Sequence, residues 1–400
     1  MADMRAVLLI PCVVVAALAA APAGAPVLPF VVDKGAPVSL LSRHMASESD
    51  ILVALGELAF KSVELFRTSP TRSGGLSLTC DSCHPDGGAS RVLFFEGLSD
   101  KPGNIDVTSR AITLKEDGIN NPINVPSLRG ARDSAPYGRD GRFAALRDFT
   151  RFALVEEFGG ILSSALLMDA LVAYQESLDY LDNPLLDEAG RLVDSAPVAA
   201  WRGEALFGRR FGADPSMSCA TCHVPETGFI DRQSHDVGGG KAHDTPTLRD
   251  LAVTAPYFRD GRYDTLDQVI AHFDRHFSLG LDAAETADLV AYLRAVGGGV
   301  EPYTAPDGTL HVATIADLLE RTLGARDWLL TKIVILQALF ELDARKGAAG
   351  APPAARLEGW IKKLRRIDGL TNASDFAGAL AATAEFRAAI STVRAGPGSP

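Results

Sequence analysis

The sequence predicts a mainly α-helical protein, built as two tandem units of one plan and followed by a helical extension. Three observations carry that prediction. A five-residue string occurs twice, several shorter strips recur at one fixed offset, and the apolar spacing has the helical rather than the strand period. At 400 residues and 47% hydrophobic content, the chain can build two compact cores or more. Its net charge of −11 argues against nucleic acid and against an anionic membrane surface as partners.

The two strings are Cys80-Asp81-Ser82-Cys83-His84 and Cys219-Ala220-Thr221-Cys222-His223. Each reads C-x-x-C-H, the attachment signature for a c-type haem. The spacing lets two thiols add to the two vinyl groups of one porphyrin and holds the following histidine beneath the iron. Cys80, Cys83, Cys219 and Cys222 are thereby assigned to two covalently bound haems, with His84 and His223 as proximal ligands. A zinc site or a redox dithiol is the alternative. Zinc would need further ligands at matched spacing, and after His84 the next histidine is His223. The fifth cysteine, Cys12, lies in the leader, so no pair remains for a structural disulfide.

The units follow in order. Residues 1–25 read as a secretory signal: Arg5, an apolar run from Ala6 to Ala21, then small residues up to a cleavage site after Ala23. Haem attachment of this kind takes place outside the bacterial cytoplasm, so the expected site of action is the periplasm. The first unit spans 26–182, with a helix from Ile51 to Phe66 leading into the haem string. The second spans 197–300, with a helix from Ala199 to Phe211 in the same place. Pro126-Ser127-Leu128-Arg129 answers Pro246-Thr247-Leu248-Arg249, and Ala135-Pro136-Tyr137 answers Ala255-Pro256-Tyr257, both displaced by 120 residues. Asp140-Gly141-Arg142 and Asp260-Gly261-Arg262 keep that offset. A closing helix follows each, through Leu171-Val172-Ala173-Tyr174 and Leu289-Val290-Ala291-Tyr292. The haem strings are 139 apart, so the first unit holds 19 extra residues, rich in glycine and read as a loop. Asp182 to Pro197 is the linker. Residues 301–395 form the extension: a helical stretch from Thr314 to Asp343, a break over Gly347 to Pro353 and a basic helix from Leu357 to Arg366; a disordered tail is expected from Gly396.

Two C-x-x-C-H units, each followed by P-[ST]-L-R and P-Y-x-x-D-G-R, resemble the bacterial dihaem cytochrome c peroxidases and the related dihaem oxidase of methylamine utilisation. The resemblance runs from Glu48 to Gly298 and includes Gly203-Glu204-Ala205-Leu206-Phe207. It implies two cytochrome c-like domains. It also implies reduction of hydrogen peroxide with electrons from a small donor protein, a cytochrome c or a cupredoxin. Electrons would arrive at the C-terminal haem and peroxide would react at the N-terminal one. An electron-transfer or oxidase-like dihaem protein without peroxide turnover is the competing reading, and a homodimer is the assembly considered.

The family's distal glutamate lies shortly after the first D-G-R strip, where this chain carries Glu157, the preferred acid–base, and Glu156. The histidine that caps the resting first haem in many relatives has no counterpart after His84. His44, Met45 and Met168 remain as sixth ligands, each weighed against a surface or core role. The second haem of the peroxidases is His/Met, yet no methionine follows Met217. His276 is preferred instead, on a helical face shared with Val269 and Phe273. His272 stands next, and Tyr257 and Tyr263 behind it. Arg139 and Arg259 stand where the family carries a tryptophan and a histidine, and either guanidinium suits haem propionates. A calcium ion between the domains is also implied, with Asn124 and the Thr245-Pro246 carbonyls as its oxygen donors.

Overall fold

The computed structural model describes residues 40, 43, 45–67, 78–89, 91–114, 116–300, 311–347 and 352–391. The expected signal sequence with Cys12, His44, residues 301–310 and the expected tail from Gly396 lie outside the described residues. The described residues are mainly helical, with two short antiparallel strand pairs. None of their helices is long and apolar enough to cross a membrane.

The first half begins with α1 (Glu48–Phe60), started by a reciprocal Ser47–Asp50 capping box. A single turn, α2 (Cys80–Cys83), carries the first haem string. Next come β1 (Asn104–Ile105), β2 (Ile123–Asn124) and α3 (Leu146–Arg151), which runs on into a π-helical stretch, Phe152–Glu157. The half closes on α4 (Ala165–Glu176). The second half repeats the order with α5 (Val198–Phe207), α6 (Cys219–Cys222), β3 (Ser234–His235), β4 (His243–Asp244), α7 (Leu266–Phe277) and α8 (Ala283–Val296).

The halves repeat in packing as well. Helix α1 lies on α4, and α5 lies on α8. A Cβ on Gly56 would overlap the carbonyl oxygen of Ala170, and one on Gly203 would overlap that of Asp288. Close helix approach therefore requires glycine at both crossings. Four residues later, Phe60 meets Tyr174 with ring centroids 5.2 Å apart, and Phe207 meets Tyr292 at 5.0 Å. Gly56-Glu57-Leu58-Ala59-Phe60 is thus the first-half partner of Gly203 to Phe207, a match hidden by its different offset. The P-Y corners agree too. Tyr137 donates its hydroxyl to Ala131 O at 2.9 Å, and Tyr257 donates to Leu251 O at 3.2 Å.

The halves are strapped reciprocally. The Asn124 N–H donates to Arg259 O at 2.8 Å, and the Asp244 N–H donates to Arg139 O at 2.9 Å. The Asn124 side-chain amide donates to Pro256 O at 2.5 Å.

Four helix expectations need correction. The helix expected over Ile51 to Phe66 ends at Phe60, because Ser62 turns extended and caps a separate 3₁₀ turn, Val63–Phe66. The one expected over Ala199 to Phe211 ends at Phe207, with Gly208 as its cap. The stretch from Thr314 to Asp343 is two helices, α9 (Ala313–Gly324) and α10 (Trp328–Ala344). Arg326 takes a positive φ of 53° between them, and the Asp327 side chain caps α10. The basic helix extends to α11 (Ala354–Asn372) and is followed by a separate helix, α12 (Phe376–Ser391). The extension does more than append. Its apolar residues join those of α1 and α4 in one continuous core, in which Leu55, Leu167, Leu318, Ile335, Leu364 and Phe386 are fully buried.

Candidate functional site

Each haem string occupies one helical turn held by a side-chain cap. Thr79 and Ser82 bond reciprocally, at 3.1 Å to the Ser82 N–H and 3.0 Å to the Thr79 N–H. Ser218 and Thr221 repeat this arrangement, the Ser218 N–H donating to Thr221 Oγ1 at 2.9 Å. A capped turn presents its two cysteines from one side and leaves the histidine at its C-terminal end. His84 Nδ1–H donates to Pro126 O at 2.9 Å, and His223 Nδ1–H donates to Phe229 O at 3.1 Å. Each bond fixes the tautomer with Nε2 free to ligate, as second-shell carbonyls do for metal-bound histidine. Desolvation lowers the His84 pKa to about 4, helped by the Arg139 cation, and desolvation also lowers that of His223. Both rings are held neutral, the form a metal binds.

The cysteines are free of disulfides, and burial pushes their thiols up, to about 12 for Cys80 and about 11 for Cys83 and Cys219. A redox-active C-x-x-C shows the opposite, a lowered thiol pKa. The structure gives the zinc alternative one partial arrangement. Cys222, Asp231 and His235 each offer a ligand atom within 4.8 Å of the others, and they are the single such group among the described residues. A thioether at Cys222 would remove the anionic sulfur from that group.

The surroundings of the two turns differ. In the first half, Cys80 borders the main core, while Cys83 borders a small apolar cluster of the enlarged connection that follows it, built on Leu93, Leu98, Ile105 and Ile112. The π-helical stretch carries both candidate glutamates. Glu156 pairs with Arg151 at 2.6 Å on the surface. Glu157 is half-buried, and desolvation raises its pKa against the pull of Arg142 and Arg139. The Arg142 guanidinium lies 5.1 Å from the rings of both Phe143 and Phe152. Met168 is buried in the main core, and Met45 packs at its edge.

In the second half, the 120-residue offset puts His272 in the place of Phe152 and His276 in the place of Glu156. Helix α7 is regular there, so the change of residues coincides with a change from π to α winding. His272 uses both ring nitrogens, one 3.1 Å from the Tyr263 hydroxyl and one 2.7 Å from Val237 O. His276 stacks on His272 at 5.9 Å and 10°, and it is exposed. The expectation that His276 shares an inward face therefore needs correction. The buried residues of α7 are Leu266 and Ile270, and the last turn overhangs the Gly238 turn instead. Phe258, Phe273 and Phe277, all part-exposed, and the buried Phe211 complete an aromatic wall beside these histidines.

Across residues 201–298 the sequence matches the di-haem cytochrome c peroxidase family. Hydrazine synthase subunit gamma of Kuenenia stuttgartiensis is 24% identical over 281 residues, spanning 55% of this chain and 72% of the relative. The methylamine utilization protein MauG of Methylophilus methylotrophus is 26% identical over 281 residues, 59% of this chain and 81% of its own. The cytochrome-c peroxidase IdrP2 of Denitromonas iodatirespirans is 39% identical over 69 residues, 16% of this chain and 19% of its own. Among solved structures, hydrazine synthase of Kuenenia stuttgartiensis, pressurized with xenon, aligns at a TM-score of 0.45 and 23% identity. The alignment covers 70% of this chain and 99% of that one.

The family implies c-type haems, and the residues present fit them. The thiols, the oriented imidazoles and the aromatic wall are in place. Arg249 adds an orphaned donor: its Nε is buried without a partner, its guanidinium 5.1 Å from the Tyr180 ring. An acidic group such as a haem propionate would satisfy it. Arg139 is engaged by protein. Its guanidinium donates to the carbonyls of Asn124 and Arg259 across the two halves. Burial and the neighbouring Arg259 lower its pKa to about 10, so it stays charged at neutral pH. The Arg259 side chain is exposed.

Sequence reasoning missed two features of the first site. The D-G-R strip marks the repeat, but nothing in the string announces that Arg142 acts on Glu157. The π winding itself left no sequence signal, yet such stretches concentrate at functional sites.

Proposed function

We propose that this protein is a periplasmic dihaem peroxidase that reduces hydrogen peroxide to water. Electrons come from a small donor protein to the second haem, and peroxide reacts at the first. The observation that carries this reading is Glu157. It is a half-buried carboxyl with a raised pKa on a π-helical stretch, flanked by Arg139 and Arg142, in the half whose equivalent positions lack histidine. Two haems attached through Cys80/Cys83 and Cys219/Cys222 would supply the electron carriers and an iron with an open position. The chain's part is proton transfer. Glu157 accepts the proton of the peroxide oxygen nearer the first site and returns it to the farther oxygen, which leaves as water. Two electrons and two further protons complete two waters. Arg142 and Arg139 keep enough of the carboxyl ionised to accept that first proton.

His276 is the better candidate to hold the iron of the second haem together with His223, because among the described residues no hydrogen bond engages its ring nitrogens while both nitrogens of His272 are engaged. His276→Ala should convert the low-spin second iron to high spin by electron paramagnetic resonance. His272→Ala should leave it low-spin, and the reverse pattern reassigns the ligand. Cys219→Ala with Cys222→Ala should halve the covalent haem content from two per chain, measured by pyridine haemochrome after denaturation. Unchanged content would remove those thiols from attachment.

Calcium has less support, since Arg139 takes the Asn124 carbonyl and Asn124 spends its amide on Pro256. The oxidase-like reading draws on the similarity to MauG. Peroxide-dependent oxidation of a reduced donor by the holoprotein decides between the two, and its absence would favour the second.

A further inference from the structure

The connection from the first haem turn to Pro126 carries the 19 extra residues, and this enlarged connection, the insertion, meets the backbone of Glu157. The Thr113 hydroxyl donates to Glu157 O at 2.9 Å, and the Leu114 N–H donates to the same oxygen at 2.7 Å. Thr113 is 2% exposed, next to Ile112 at 2%. Carbonyls in the last turn of a helix have no partner within it. Here the orphaned carbonyl belongs to the residue that closes the π stretch, and the insertion supplies both donors. Behind them the insertion packs its own apolar cluster against Cys83 and Phe158, the residue after Glu157.

We propose that Thr113 is a positioning residue for Glu157, and that the insertion serves to hold the carboxyl of Glu157 in register with the first haem turn. The proposal rests on the reading of Glu157 as the acid–base. The Thr113–Leu114 pair fixes the Glu157 carbonyl, and with it the backbone from which the carboxyl projects. The insertion's cluster ties that backbone to Cys83. One segment therefore sets both the haem turn and the glutamate.

The test uses the dihaem holoprotein with Thr113→Val, Thr113→Ser and Glu157→Gln. Thr113→Val keeps the shape and removes the hydroxyl. It should lower kcat for peroxide by on the order of 10- to 100-fold, with KM within about threefold. Haem content and absorption spectra should stay as in the wild type, and amide exchange at Leu114 should quicken. Thr113→Ser should restore both readouts. A wild-type kcat in Thr113→Val, in a protein where Glu157→Gln is inactive, overturns the positioning role alone. So does equal loss in the serine and valine variants, or a kcat loss with unaltered exchange at Leu114. Full activity of Glu157→Gln overturns the acid–base reading and takes the positioning role with it.

Discussion

Glu157→Gln should lower kcat for peroxide reduction by about 10²- to 10⁴-fold, the usual range for a positioned proton donor and acceptor. The amide is nearly isosteric but cannot carry the proton between the two oxygens. Haem content and thermal unfolding should hardly change, because the Glu157 backbone bonds to Thr113 and Leu114 remain. The pH profile gives a second signature. Desolvation raises the Glu157 pKa, and Arg142 and Arg139 oppose the rise without cancelling it. The carboxylate must accept a proton first, so turnover should climb with pH through this raised pKa. The acid limb should therefore lie above the ordinary glutamate value of about 4.3. Arg142→Gln removes a cation that favours the carboxylate and should move the limb to still higher pH. An acid limb unaltered in Glu157→Gln would assign it to another group.

Asp327→Ala should destabilise the protein by about 2–4 kcal/mol, the sum of a lost helix cap and stranded buried hydroxyls. The Asp327 side chain is fully buried. Its Oδ1 accepts from the Leu330 N–H at 2.9 Å and starts α10. Its Oδ2 accepts from the hydroxyls of Ser163 and Ser164, at 2.9 Å for Ser163. Ser164 in turn caps α4. One carboxylate thus begins a helix of the extension and pins the segment that follows Glu157. Asp327→Asn retains an acceptor oxygen and should lose less. Urea unfolding followed by circular dichroism measures both, and wild-type stability of the alanine variant would show that the three bonds are replaced by water.

The two haem turns were legible because their chemistry demands adjacent residues, and the capping pairs Thr79–Ser82 and Ser218–Thr221 bracket them in sequence as well. The repeat was legible where it keeps the 120-residue offset, so the P-Y corners are visible in the strings themselves, whereas the Asn124 and Asp244 straps emerge only from the packing of the halves. Gly56 escaped because its partner Gly203 lies at another offset, on the far side of the insertion. The orientation of His276 escaped for a different reason. Its spacing from Phe273 is helical, but the α7 turn it occupies lies beyond the buried part of the helix, and spacing alone does not say where burial ends. The place of the extension was not readable either. Its leucines announce helices, but the face they cover, that of α1 and α4, is set by tertiary packing.

The reciprocal straps between the halves have a further consequence. Asn124 bonds Arg259 and Asp244 bonds Arg139, so residue and counterpart exchange roles as they do across an isologous two-fold interface. A dimer held this way comes apart on dilution. Here both surfaces belong to one polypeptide, so the pairing of the two halves is independent of protein concentration. Because the two copies are encoded separately, either can change alone, and the two now differ where Phe152 and Glu156 face His272 and His276 in the repeat.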